Sequence, residues 1–308
     1  MTRFSLLVRL PIIVFLAHAY VALRLAVAAP AGPPRWLVLG ALALVYLLIL
    51  GGFYARRAVG RAGGDLIAWA GFLSLGLFSW LWVLTFLRDV LLLIMAAMSA
   101  ISPHIVGDSM LGTGSAASAM AVPLLSLAAV LLGLLNARRL ARVADVRVPI
   151  AGLPAALDGF TIVQLSDLHV GPTIKRGYIE AIVNAVNRLS PDAIVLTGDL
   201  IDGSVARLAG HVQPLARLKA RHGVYAVTGN HEYYSGAPQW VAEFRRLGLQ
   251  VLMNQHCVVT HQGVELVLAG VTDFTARHFD AAQASDPVAA LRGAPSSAAI
   301  RIVLAHQP

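Results

Sequence analysis

Charge is scarce in this sequence: 13% of its 308 residues are Asp, Glu, Lys or Arg, while 57% are hydrophobic. Soluble domains carry about 25% charged residues, so the composition excludes a chain that is water-exposed throughout. Cysteine is almost missing. Cys257 stands alone, which excludes an intrachain disulfide, gives no secretory signal, and leaves a small buried hydrophobe as its reading. A basic face is lacking where a soluble domain would need one. Residues 1–145 hold 11 Lys and Arg against 4 Asp and Glu, whereas residues 146–308 hold 13 against 12. The positive excess belongs to the apolar half, and nucleic-acid binding is excluded.

What the first half has is length without charge. Residues 10–29, 36–54, 66–87 and 117–135 are each apolar enough to span a bilayer as a helix, which takes about 20 residues. The first has no small-residue cleavage site and more spans follow, so it reads as a retained helix rather than a signal peptide. The second carries Trp36 and Tyr54 at its ends, as interfacial anchors do. The third meets Arg88-Asp89 and continues through residues 90–100, too long for one upright span. Pro123 sits inside the fourth, where membrane helices tolerate it. Arg24, near a helix end, is expected to snorkel to the headgroups. His18 and His104 are isolated and read as structural.

The loops give orientation. Arg3 and Arg9 precede the first span, Arg56, Arg57 and Arg61 separate the second from the third, and Arg138, Arg139 and Arg142 follow the fourth. Arg35 alone lies in the first loop, and residues 102–115 carry no Lys or Arg. Every basic cluster then falls on one side, which the positive-inside rule makes cytoplasmic. The sequence therefore predicts a multi-pass protein of the cell (inner) membrane. Residues 138–147 would draw anionic lipid and hold a cytoplasmic second domain near the surface.

The second half, 146–308, alternates strand and helix signals, which predicts a layered α/β core. Four apolar runs each end in side chains able to bind metal. Residues 160–165 lead to Ser166-Asp167-Leu168-His169. Residues 193–196, with Thr197, lead to Gly198-Asp199-Leu200-Ile201-Asp202. Residues 224–228 lead to Gly229-Asn230-His231-Glu232, and residues 300–305 lead to His306. The runs are short, β-branched and bounded by turn residues, so they read as buried strands. Helices are expected near 175–189, 205–221, 238–247 and 286–291. An edge strand is expected at 147–150, and short strands at 249–253, 257–260 and 264–269, the last two joined at Gln262-Gly263.

Ligands in open α/β sheets bind beyond the carboxyl ends of the strands, where Asp167, His169, Asp199, Asn230 and His306 all fall. Carboxylate, imidazole and amide oxygen suit Mn, Fe or Zn. This many donors could hold two ions about 3.5–4 Å apart, with Asp199 as the bridge, activating water for in-line phosphoryl displacement. His231 is expected to face the leaving group as general acid, with Asp202 holding its ring. Glu232 is expected to brace the loop. His211, His222, His256, His261 and His278 fit no motif and read as surface or packing residues.

Through Asp167-Leu-His169, Gly198-Asp199-Leu-Ile-Asp202, Gly229-Asn230-His231-Glu232 and His306 after a strand, the chain resembles the calcineurin-like metallophosphoesterase superfamily, most of all its membrane-attached branch. The resemblance covers about half of the chain. It implies a β-sandwich flanked by helices, a dinuclear centre and phosphoester hydrolysis. It would put Asp167, His169 and Asp199 on one metal, and Asp199, Asn230 and His306 on the other. Two departures stand out. Where the superfamily's protein phosphatases have an arginine that binds phosphate, this chain has Gly203, which argues against a phosphoprotein substrate. The family pattern also ends in a Gly-His-x-His element, whereas this sequence stops at Pro308, so it reads as a fragment whose closing strands are missing. The expected substrate is a phosphodiester or phosphomonoester, with a lipid-linked one favoured by the membrane setting. The alternative expectation is an inactive membrane protein whose soluble domain binds a phosphorylated ligand or a protein partner.

Overall fold

The computed structural model describes residues 3–29, 31–55, 62–102 and 108–307. Arg56, Arg57, Arg61 and His104 lie outside them. The chain divides into two compact units, Met1–Arg139 and Leu140–Pro308.

Among the described residues, the first unit holds four helices: α1 (Arg3–Ala28), α2 (Pro33–Ala55), α3 (Ala62–Ile101) and α4 (Asp108–Ala137). All four are long and apolar enough to cross a membrane. Their exteriors stay apolar while Val21, Leu42, Ile49, Phe78, Leu81 and Val122 pack between them. α3 runs unbroken through Arg88-Asp89 for 40 residues. His18 is a packing residue: its ring stacks on Phe78 at 3.6 Å, and its Nδ1 lies 2.7 Å from the Val14 carbonyl oxygen.

Arg24 corrects one expectation. It does not stand apart as a snorkelling side chain but forms a two-pronged pair with Asp89 of α3, at 2.7 Å and 2.9 Å. Tyr20 donates to the same carboxylate at 2.8 Å. Arg88 reaches it at 3.1 Å and also donates to Ser115 and Ser118 of α4. Apolar surroundings favour this outcome, because a charge away from water is costly unless paired. An ion pair between spans, absent from the sequence reading, therefore joins α1 to α3.

Glycine sets the spacing of α2 and α3. A Cβ on Gly71 would lie 2.5 Å from Gly52 Cα and 2.7 Å from the Leu48 carbonyl oxygen. The obstacle is backbone on both counts, so no rotamer change relieves it. Such small-residue contacts let apolar helices approach closely where hydrophobic burial gives little drive.

The second unit is two sheets between helices. The first sheet is wholly parallel, in the order β1 (Ile162–Leu165), β2 (Ala193–Thr197), β3 (Val224–Val227), β4 (Gln250–Val251). The second holds β5 (Gln255–His261), β6 (Val264–Gly270) and β7 (Ile300–Leu304), with β5 antiparallel and β7 parallel to β6. Alternation along β2 explains its uniform apolarity. Ile194 and Leu196 face a core with Ile179 and Val183 of α5 (Arg176–Arg188), Leu208 of α6 (Val205–Val212) and two aromatics, Trp240 and Phe244. Ala193 and Val195 face the other sheet through Val259, Leu266, Leu268 and Leu304. A strand buried on both faces has no polar side to show.

Helix α7 (Asn230–Ser235) starts directly after β3, followed by α8 (Ala237–Arg246) and α9 (Pro287–Leu291). Two expectations are corrected here. Residues 147–150 form no strand; they are exposed and join no ladder among the described residues, and the Ile150 carbonyl accepts only locally, from the Leu153 N–H at 3.3 Å. The helix expected to reach residue 221 ends as α6 at Val212 and passes into a 3-10 turn at Gln213–Arg217. Pro214, in that turn, lacks the N–H an α-helix would need.

Replacing Gly71 by Val is expected to force α2 from α3 and to destabilise the helical unit by about 1–3 kcal/mol. A lowered thermal midpoint of the detergent-solubilised protein checks this.

Candidate metal centre

The loops that leave β1 and β2 stay zipped together beyond the strands. Asp167 N–H donates to the Gly198 carbonyl at 3.1 Å, His169 N–H to that of Asp199 at 3.0 Å, and Val170 N–H to that of Leu200 at 2.9 Å. Asp202 N–H returns a bond to Val170 at 2.8 Å. This register sets Asp167 and His169 directly against Asp199 and Asp202. It requires unusual backbone: Asp167, His169 and Asp199 have φ of 56°, 45° and 53°. Left-handed non-glycine residues cost energy and cluster at functional sites.

Two glycines let the β2 and β3 loops meet. A Cβ on Gly198 would lie 2.5 Å from Gly229 N and 3.0 Å from His306 Cγ, while one on Gly229 would collide with the Asp199 carboxylate. Glu232, fully buried, fastens the same junction. Its carboxylate accepts from the N–H groups of Asp199 at 2.9 Å, Leu200 at 2.8 Å and Gly229 at 2.7 Å. Burial pushes the Glu232 carboxyl above its ordinary range, against the three N–H groups that favour its charged form. Glu232 thus braces the loop, as its position in the sequence suggests.

Asp199 is buried, and its two oxygens have separate tasks. Oδ1 accepts from the His231 N–H at 2.9 Å, in the first turn of α7. Oδ2 faces three imidazoles, with His306 Nε2 at 3.4 Å, His169 Nε2 at 3.8 Å and His231 Nε2 at 3.8 Å. Asp167 Oδ1 lies 3.6 Å from His169 Nε2. Each ring is held by its far nitrogen. His306 Nδ1 lies 2.8 Å from the Thr197 carbonyl oxygen, to which it can only donate. His169 Nδ1 lies 3.2 Å from Asp202 Oδ1, and His231 Nδ1 contacts that same oxygen. All three rings therefore turn Nε2 inward, where the neutral tautomer carries its lone pair.

This donor set fits a cation. The 3.4–3.8 Å separations exceed hydrogen-bond length. Donors sharing one ion at about 2.0–2.1 Å in a tetrahedral arrangement stand about 3.3–3.4 Å apart. His169, Asp199 and His231 form one group able to hold a metal, and Asp167, Asp199 and His306 another. Asp199 belongs to both.

The structure thus gathers Asp167, His169, Asp199, His231 and His306 at one sheet edge. Asn230 opens α7 beside them, its Oδ1 accepting from Gln307 at 3.4 Å. Sequence reasoning missed the contact of Asp202 with His169 and the hold of the Thr197 carbonyl on His306. The first was accessible from the shared zipper of the β1 and β2 loops; the second is a backbone contact with no sequence signal. Tyr234 stands against His231 with ring centroids 5.4 Å apart, whereas Tyr233 is packed inside.

Glu232→Gln is expected to lower stability by about 1–3 kcal/mol, because an amide NH2 must oppose a backbone N–H that a carboxylate accepted. Thermal denaturation of the variant beside the parent checks this.

Residues 160–308 match the calcineurin-like phosphoesterase family. The chain is 40% identical over 181 residues to a transmembrane protein with metallophosphoesterase domain from Danio rerio, covering 57% of this chain and 41% of that protein. Identity to the protein of the same description from Bos taurus is 40% over 185 residues, with the same shares. An uncharacterized metallophosphoesterase from Helicobacter pylori is 38% identical over 116 residues, 38% of this chain and 30% of that one. The chain thus spans 41% of the length of the first two of these relatives. After its four apolar helices, from residue 160 onward, this chain belongs to the calcineurin-like metallophosphoesterases.

Proposed function

We propose that the protein is a membrane-anchored phosphoesterase that uses two metal ions to hydrolyse a phosphodiester or phosphomonoester. The observation that carries this reading is the convergence of three histidine Nε2 atoms on Asp199 Oδ2, with Asp167 alongside. In this reading Asp167, His169 and Asp199 hold one ion, and Asp199, Asn230 and His306 hold the other. Mn, Fe and Zn all suit the donors. When bound, the ions supply a nucleophilic water at neutral pH and neutralise charge on the phosphoryl oxygens.

The protein's own groups do the rest. Asp199, fixed through Oδ1 by the His231 N–H, keeps Oδ2 turned to both ligand groups. Asp202 orients His169 and also holds His231 through Nδ1. With its ring held this way, His231 is placed to pass a proton from Nε2 to the departing alkoxide. Tyr234 is exposed and stands against the His231 ring, where it could line a substrate cleft.

The apolar helices make residues 1–145 the anchor and residues 146–308 the catalytic domain. The basic residues outside the spans favour a cytoplasmic domain at the cell (inner) membrane. A substrate already resident in the bilayer, a lipid-linked phosphoester, suits that arrangement.

Asp199→Asn is expected to abolish metal-dependent hydrolysis of an aryl phosphodiester by the full-length protein while circular dichroism stays unchanged. A rate equal to the parent's rejects the mechanism.

A further inference from the structure

A second group of metal-capable side chains lies at the other end of the first sheet. Asp192 and His222 precede β2 and β3, on the amino-terminal side, whereas Asp199 lies beyond the carboxyl end of β2. His261 closes β5 in the second sheet and is buried. Backbone bonds bring the segments together: His222 N–H donates to the Asp192 carbonyl at 2.7 Å, and Asp192 N–H to that of Thr161 at 3.0 Å. Tyr225 fixes the turn by donating its hydroxyl to the His222 carbonyl at 2.6 Å.

The side chains then converge. His222 Nε2 and His261 Nδ1 stand 2.9 Å apart, and Asp192 Oδ1 lies 3.9 Å from His261 Nδ1. One ligand atom from each of the three lies within 4.8 Å of the others. We propose that Asp192, His222 and His261 form a second metal site that takes a zinc-class divalent cation and clasps the two sheets together.

The surroundings supply what such a site requires. Asp192 Oδ2 accepts from the Thr161 N–H at 2.9 Å and its hydroxyl at 3.1 Å, which fixes the carboxylate and leaves Oδ1 as the ligand atom. Phe160 walls one side, 5.8 Å from the His222 ring and 5.0 Å from the His261 ring. Gln262 touches His261 Nε2 at 3.2 Å and so orients the ring from behind. Oriented ligands beside an apolar wall are how proteins tune metal sites. Two imidazoles and a carboxylate, with a fourth position left to water, form a recurring zinc donor set.

Arg221 is the competitor. Its Nη1 lies 3.1 Å from Asp192 Oδ1, but its side chain is 65% exposed. An exposed pair of this kind is weak, and the arginine can swing into solvent when a cation arrives.

Zinc bound per chain, measured by elemental analysis after dialysis of the detergent-solubilised protein, tests the site. His222→Ala is expected to bind one equivalent fewer than the parent, whatever remains at the centre beyond β2. Arg221→Ala, a surface change that leaves the core untouched, is expected to bind the same equivalent several-fold more tightly. Equal zinc in the parent and His222→Ala means that the imidazoles share only a hydrogen bond, and overturns the proposal. Unchanged affinity in Arg221→Ala removes Asp192 from the site and overturns it as well.

Discussion

The domain is organised around a carboxylate spent on backbone N–H groups rather than on the metal-capable cluster. Glu232 is fully buried and gathers three backbone N–H groups, two from the loop after β2 and one from the loop after β3. Each of those N–H groups would otherwise be buried without a partner, at a cost of about 1–3 kcal/mol. Satisfying them with one side chain fixes where Asp199 leaves the sheet and where α7 begins. The left-handed backbone at Asp167, His169 and Asp199 persists because this junction and the β1–β2 zipper over-determine it. Pre-organised ligands follow from that rigidity.

The electrostatic logic of the cluster runs through Asp199 and Asp202. Asp199 has one oxygen committed to a helical N–H, leaving the other for three imidazole nitrogens. Asp202 reaches two of those imidazoles from behind with a single oxygen. His169 and His231 are therefore coupled, so a change at Asp202 acts on a ligand-type histidine and on the proposed acid together. The pair Arg24–Asp89 plays an analogous part in the helical unit, where paired charge holds elements together in apolar surroundings.

Much of this is legible in the sequence, for identifiable reasons. The strands β1, β2, β3 and β7 follow from short apolar runs ending at turn residues, and a parallel sheet brings such ends to one edge. That is why Asp167, Asp199, His231 and His306, spread over the second half of the chain, meet in space. What could not be read depends on tertiary partners. Residues 147–150 have strand-forming composition but no ladder partner. The length of α6 is cut by Pro214 in a 3-10 turn. Arg24 looked like a headgroup contact because Asp89 lies 65 residues away in sequence. His222 and His261 sit in no motif, and only the stacking of the two sheets brings them together.

Asp199 Oδ2 and the inward-turned Nε2 atoms of His169 and His306 are placed to grip cations. Anomalous diffraction from crystals of the protein grown with manganese tests this most directly. Two peaks are expected to flank the Asp199 carboxylate, one on the His169 side and one on the His306 side. Density from ordered protein with no anomalous peak within bonding distance of Asp199 would contradict it.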